Sequence, residues 1–339
     1  MLDVDTFLVT VYCIVDDLYQ ARFAAQKPRR RGAKPEMADS EVLTLALLAQ
    51  WEPHRSERAF LRYVREHWRS YFPRPLSQSA FNRRARDLMG VLCQLGPAIS
   101  QATHQVLGSM PAYEVLDTVP VPLMRRCRGV RRRLFGVEAA IGCGGSDRDW
   151  YYGVSLLAAV NQQGHITGFV AGPANTEERW LADALLRWRQ NPHAPAPHPE
   201  ELAPVLSPSH HGPRQGPTGP LTPQGAVGVS SQVPYLGDRG FAGAAWNRHW
   251  REDYGATVLT PGHWAAPQQH PPRWFHRLRQ IVETVFHVLT DQLGLKYPRP
   301  RTYWGLLTRL AAKISAFNML VHLNYRNGLP TFSFHSPLA

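Results

Sequence analysis

The chain has 339 residues, 44% of them hydrophobic, enough for one large core or two ordinary ones. Lys and Arg number 38 against 26 Asp and Glu, and this net charge of +12 draws polyanions, nucleic acid first, unless the protein is simply basic without such a partner. Cys13, Cys93, Cys127 and Cys143 form no CxxC pair and have no histidine at ligand spacing, which argues against a zinc module or a disulfide framework; the expected compartment is a reducing cytoplasm. Acidic Asp3 and Asp5 and interrupted apolar runs argue against a signal peptide and a membrane span.

In chain order, Val4 to Ala24 reads as a helix with Phe7, Val11, Ile14, Val15 and Leu18 on its apolar face. Lys27 to Lys34 is a basic link, a solvated connection or a phosphate contact. Asp39 or Ser40 can cap a helix from Glu41 to Trp51. Ser56 to Trp68 is a further helix, with Phe60, Leu61 and Val64 inward and Arg58, Arg62, Arg65 and Arg69 outward. Ser77 caps the next, in which Phe81, Ala85 and Leu88 face a core. Its Asn82, Arg83, Arg84 and Arg86 suit a DNA groove, as in the reading helix of a helix-turn-helix, or simply an amphipathic surface. A connecting helix near Leu92 to Leu107 closes a helical amino-terminal region, residues 1–108, expected to bind DNA.

Composition then turns strand-like. Tyr113 to Val121 is a β-rich run with Asp117 near its middle, where a buried carboxylate is costly unless it is paired or bound to a cation. In the 124–149 segment that follows, Arg125, Arg126, Arg128, Arg131, Arg132 and Arg133 crowd into nine positions. Such cations repel one another unless an anion lies across them, so phosphate contact competes with a solvated loop. Trp150 to Val160 and His165 to Ala171 form a hairpin, and Glu177 to Trp188 a helix. Residues 191–232, rich in Pro, Gly, Ser and His, read as a long loop or insertion.

Val233 to Phe241 is an apolar strand ending in Asp238 between Gly237 and Gly240. Ligands collect at the carboxyl ends of strands in open α/β sheets; the other reading is that Asp238 caps the next helix, Ala242 to Tyr254. After a last strand at Ala256 to Thr260, a helix from Trp274 buries Leu278, Ile281, Val282, Val285 and Leu289. Arg279 and Glu283 share its border, as a plain i,i+4 ion pair or as part of a site. Asp117, Asp238 and Glu283 can converge, and oxygen-only ligands suit Mg²⁺ or Mn²⁺, two of which can serve phosphodiester chemistry.

The strings LDTVPVPL, YYGVSLLAAV, GDRGF and RLRQIVETVFHVL, with DSEVLTLALL and FNRRARDL before them and RLAAKISAFNMLVHLN after, resemble in order the motifs of bacterial insertion-sequence transposases of the DDE type. That resemblance implies an α/β fold, with an RNase H-like mixed sheet flanked by helices over residues 109–325 and a tail over 326–339. It implies Asp117, Asp238 and Glu283 as catalytic metal ligands, probed with Mg²⁺ or Mn²⁺, and Arg279 and His276 on the DNA. It also implies double-stranded DNA as substrate and target, held by a homodimer, in a bacterial cytoplasm close to the nucleoid. His276 stands where many relatives have tyrosine, and Thr290 where a lysine is common. The alternatives are a nuclease of the same fold that cuts without joining, and a transposase-derived DNA-binding protein without catalysis. The histidines at positions 198, 210, 211, 263 and 270 have no metal-motif spacing and argue against a histidine-based hydrolase.

Overall fold

The computed structural model describes residues 3–26, 35–51, 56–144, 149–190, 222–224, 233–261 and 273–334. Its helices are α1 (Val4–Arg22), α2 (Asp39–Trp51), α3 (Glu57–His67), α4 (Gln78–Asp87), α5 (Met89–Leu107), α6 (Arg126–Arg131), α7 (Glu178–Gln190), α8 (Ala244–Tyr254), α9 (Arg273–His287) and α10 (Tyr303–Arg326). The strands are β1 (Glu114–Arg125), β2 (Ala140–Gly144), β3 (Asp149–Asn161), β4 (Ile166–Pro173), β5 (Thr222–Gln224), β6 (Tyr235–Leu236) and β7 (Val258–Leu259). The fold is α/β, a mixed open sheet flanked by helices.

The sheet runs β5-β4-β3-β1-β6-β7, with β2 beside the first part of β3. β1, β3 and β4 are antiparallel neighbours, while β6 and β7 are parallel additions at the β1 edge. The period-two pattern sends alternate side chains of β1 to opposite faces. Val115, Val119 and Val121 join a core shared with α1, α2, α5, α9 and α10; Leu116 joins a second core with α7 and α8, built around Leu185, Trp246 and Trp250. The larger core takes in residues from Phe7 to Leu323, so the amino-terminal helices and the sheet pack on common apolar surface.

Several local expectations shift. Asp39 is the first residue of α2 rather than a cap ahead of it; its carboxylate accepts from the Tyr19 hydroxyl at 2.7 Å and pairs with Arg84, tying α1, α2 and α4 together. Ser56 and Ser77 do cap α3 and α4, accepting from the amides of Ala59 and Ala80. β1 continues past Val121 to Arg125, and the arginine segment that follows is partly helical rather than all loop. Thr222–Gln224, within the segment read as a loop, is a strand on β4; the rest of 191–232, like the 27–34 link, lies outside the described residues.

Two buried ionic contacts fix α7. Arg189 Nη1 lies 2.6 Å from Glu114 Oε2 and donates to the Tyr235 hydroxyl at 2.8 Å, while Nη2 donates to Thr167 Oγ1 at 2.9 Å. His249 of α8 meets Asp183 of α7 through Nε2 at 2.7 Å, and its other nitrogen pairs with Asp253. Burial opposes the charge on His249, but these two carboxylates outweigh it and raise its pKa. Among the described residues no helix is long and apolar enough to cross a membrane.

Candidate metal centre

Strand register brings the two aspartates together. Glu114 pairs with Tyr235 and Val115 with Leu236 in parallel, so two residues beyond Val115 and Leu236 stand Asp117 and Asp238. β6 stops at Leu236, and the chain turns through Asp238 into a short 3₁₀ turn, Arg239–Phe241. Asp238 Oδ1 accepts the Gly240 amide at 2.7 Å and so caps this 3₁₀ turn, not the helix α8, whose N-cap is Gly243 without a side-chain hydrogen bond.

The third carboxylate in the cluster is Glu178, in the first turn of α7. One oxygen from each of Asp117, Glu178 and Asp238 lies within 4.8 Å of the others. Thr118 directs Glu178, its hydroxyl donating to Oε1 at 2.7 Å, and the alternation along β1 explains how. Asp117 turns to the α9 face while Thr118 turns to the α7 face. Gly240 makes room for the cluster, because a Cβ there would stand 1.8 Å from Glu178 Oε2 and 2.9 Å from Asp238 Oδ1.

From α9, Arg279 Nη2 approaches Asp117 Oδ2 at 3.3 Å, and its Nε is buried without a hydrogen-bond partner. Asp117 Oδ1 also accepts from the Thr118 amide at 2.8 Å. Glu283, one turn further along α9, is exposed, yet close enough that its charge adds to that of Asp238 in raising Asp117. The pKa of Asp117 is pushed up to about 6, first by burial and against the pull of Arg279. Glu178 is pushed up to about 7, by burial and then by Asp238. Three half-buried carboxylates thus meet, with Arg279 as the cation beside Asp117. This surplus of negative charge and the all-oxygen donor set fit a hard divalent cation, Mg²⁺ or Mn²⁺.

The expected convergence is therefore met by Asp117 and Asp238, with Glu178 in the position assigned to Glu283 and Glu283 at its border. Arg279 turns to Asp117 instead of forming the i,i+4 pair, and His276 is exposed on the same helix. Of the α4 residues, Arg83 and Arg86 are exposed. Arg84 is engaged with Asp39 and the Met37 carbonyl, and the Asn82 amide donates to Glu57 and to the Gln78 carbonyl at 3.1 Å. The arginines from Arg125 to Arg133 are exposed at the far end of β1 and on α6. Glu178 escaped sequence reasoning because an acid in the first turn of a helix is ordinary there, complementing the helix dipole. Compared with family models, with curated proteins and with solved structures, the chain has no match.

Proposed function

We propose that the chain is a DNA transposase of the DDE type, with an RNase H-like catalytic domain that cleaves the ends of an insertion element and joins the freed 3′-hydroxyls to target DNA, acting as a homodimer on two DNA ends. The observation that carries the reading is the meeting of Asp117 and Asp238, on adjacent parallel strands, with Glu178 in one carboxylate cluster. The net charge of +12 and the exposed arginines support a polyanionic substrate.

Asp117, Glu178 and Asp238 would hold Mg²⁺ or Mn²⁺, with Glu283 bordering them. Bound there, the metal would supply activation of a water or 3′-hydroxyl and stabilisation of the leaving oxygen of a phosphodiester. The protein's part is orientation. The Gly240 amide fixes Asp238, the Thr118 hydroxyl fixes Glu178, and Arg279 steadies Asp117. The free Nε of Arg279 can donate to a phosphate oxygen brought to the cluster.

The test is incubation of the protein with labelled duplexes carrying the sequences that flank its coding segment, together with a supercoiled target, in Mg²⁺, Mn²⁺ or EDTA. End cleavage and joined products in metal alone are expected. Cleavage without any joined product would make the protein a nuclease and end the transposase reading.

A further inference from the structure

Tyr297 and Arg299 are non-glycine residues held at φ 55° and 52°, in the left-handed region that L side chains rarely adopt, and Pro298 and Pro300 follow them. Such conformations persist only where the surroundings over-determine them, and they collect at ligand clamps. Here the determinants are visible. The Arg309 guanidinium donates to the carbonyls of Pro298 and, at 2.8 Å, of Arg299, and the Tyr297 amide donates to the Pro122 carbonyl at 3.0 Å. The strap is thereby pinned to the far end of β1, with Lys296, Tyr297, Arg299 and Arg301 exposed.

The arginine segment emerges from that same strand end. α6 lies on β3 with Gly129 against Tyr152, and the ring of Phe135 meets that of Tyr303 edge-on at 5.9 Å, joining the segment to the start of α10. Six arginines between Arg125 and Arg133 and three cations of the strap are therefore gathered at one end of β1, with Glu138 and Asp149 as acids in the adjoining sequence and Glu57 facing Arg309 at 3.6 Å. Aromatic rings are set among them: Trp150 is 57% exposed, Trp304 58% and Tyr297 47%. Arg126 stacks over Trp150 with its guanidinium 5.0 Å from the ring centroid.

We propose that this surface binds a single DNA strand with accessible bases, the guanidinium groups taking phosphates and the exposed rings stacking on bases. Charge alone would suit a duplex or an acidic protein. Exposed rings interleaved with arginine are what stack unpaired bases. The surface lies about 26 Å from the acidic cluster, eight residues of β1 at roughly 3.3 Å each. It deepens the DNA reading above, yet none of its residues belongs to the carboxylate site.

The experiment is fluorescence anisotropy of labelled oligothymidylate and of a mixed-sequence duplex, each about 20 nucleotides long to exceed the site of one stacking platform, titrated across salt in EDTA. Trp150→Ala and Trp304→Ala are expected to weaken single-strand binding roughly fivefold or more each, with the salt slope unchanged, and Trp304→Phe to retain it. Arg126→Gln with Arg128→Gln should lower the slope of log affinity against log salt by about 0.7 per arginine. Thermal unfolding of the variants should match the wild type, since both tryptophans are exposed. Unchanged single-strand affinity in both tryptophan variants overturns the proposal, as does equal binding of labelled polyglutamate. Wild-type end cleavage alongside unaltered binding by these variants would leave the catalytic reading standing and this one lost. Single-strand binding that depends on Trp304, in a protein that never cuts, would do the reverse.

Discussion

Glu114 and Arg189 form an ion pair at 2.6 Å in which neither side chain is more than 4% exposed, three residues ahead of Asp117 on β1. Because Glu114 is the register partner of Tyr235, and Arg189 also donates to the Tyr235 hydroxyl, this contact sets the alignment of Asp117 with Asp238.

Removing one partner strands a buried charge. Arg189→Met should cost about 3–5 kcal/mol, read as a lower urea midpoint, and Arg189→Met with Glu114→Leu should recover much of that loss because no charge then remains buried. A single substitution costing under about 1 kcal/mol would contradict the role given to the pair.

The acidic cluster makes stability depend on pH. Folded Asp117 and Glu178 hold protons more tightly than their ordinary values of 3.8 and 4.5, at about 6 and about 7. Between those limits folding takes up protons, so the metal-free protein loses stability as pH rises from about 4 to about 7. The rise in Tm caused by Mn²⁺ should therefore be larger at pH 8 than at pH 5.5, with ligands deprotonated and their repulsion relieved. An increment independent of pH would count against metal binding by these groups.

Glu178→Gln separates the metal from the fold. It keeps an oxygen for the Thr118 hydroxyl and removes a buried charge, so the metal-free variant at pH 8 should be about 1–2 kcal/mol more stable than the wild type while losing most of the Mn²⁺ increment. Glu283, exposed on α9 and outside the cluster, should behave differently: Glu283→Gln retains most of the increment. The reverse pattern in the Tm shifts would move the third ligand from Glu178 to Glu283.

Gly240→Ala tests the packing of the site. The new Cβ collides with the far end of the Glu178 side chain, which can swing away. Stability should change by less than about 1 kcal/mol, as for an exposed position, while Mn²⁺ affinity falls roughly tenfold or more. Unaltered affinity would mean that Glu178 is not held at the cluster by Gly240.

Some of this was legible in the sequence for physical reasons. Asp117 stood out because a carboxylate inside an apolar strand needs a partner, and Asp238 because a carboxylate set between glycines stands at the carboxyl end of a strand. The amphipathic helices were legible from their apolar stripes, as with Phe60, Leu61 and Val64. The two-residue strands β6 and β7 are too short to show periodicity, and their alignment depends on Arg189, which is far away in sequence. Arg84 reads locally as a groove residue because its partner Asp39 lies 45 positions earlier. The left-handed Tyr297 and Arg299 are hidden because proline-rich stretches read as extended, and only tertiary anchors from Pro122 and Arg309 impose that conformation.

The most direct measurement compares the wild type with Asp238→Ala on labelled duplexes bearing the element's ends, following binding in EDTA and cleavage in Mg²⁺ or Mn²⁺. Asp238 contributes an oxygen to the cluster and is not among the arginines and rings proposed to bind DNA, so the variant should bind with near wild-type affinity and lose cleavage by about 10³-fold or more. Cleavage that survives the loss of Asp238, or a wild type that binds these ends yet cuts with neither metal, would contradict the assignment of the carboxylate cluster as the catalytic centre.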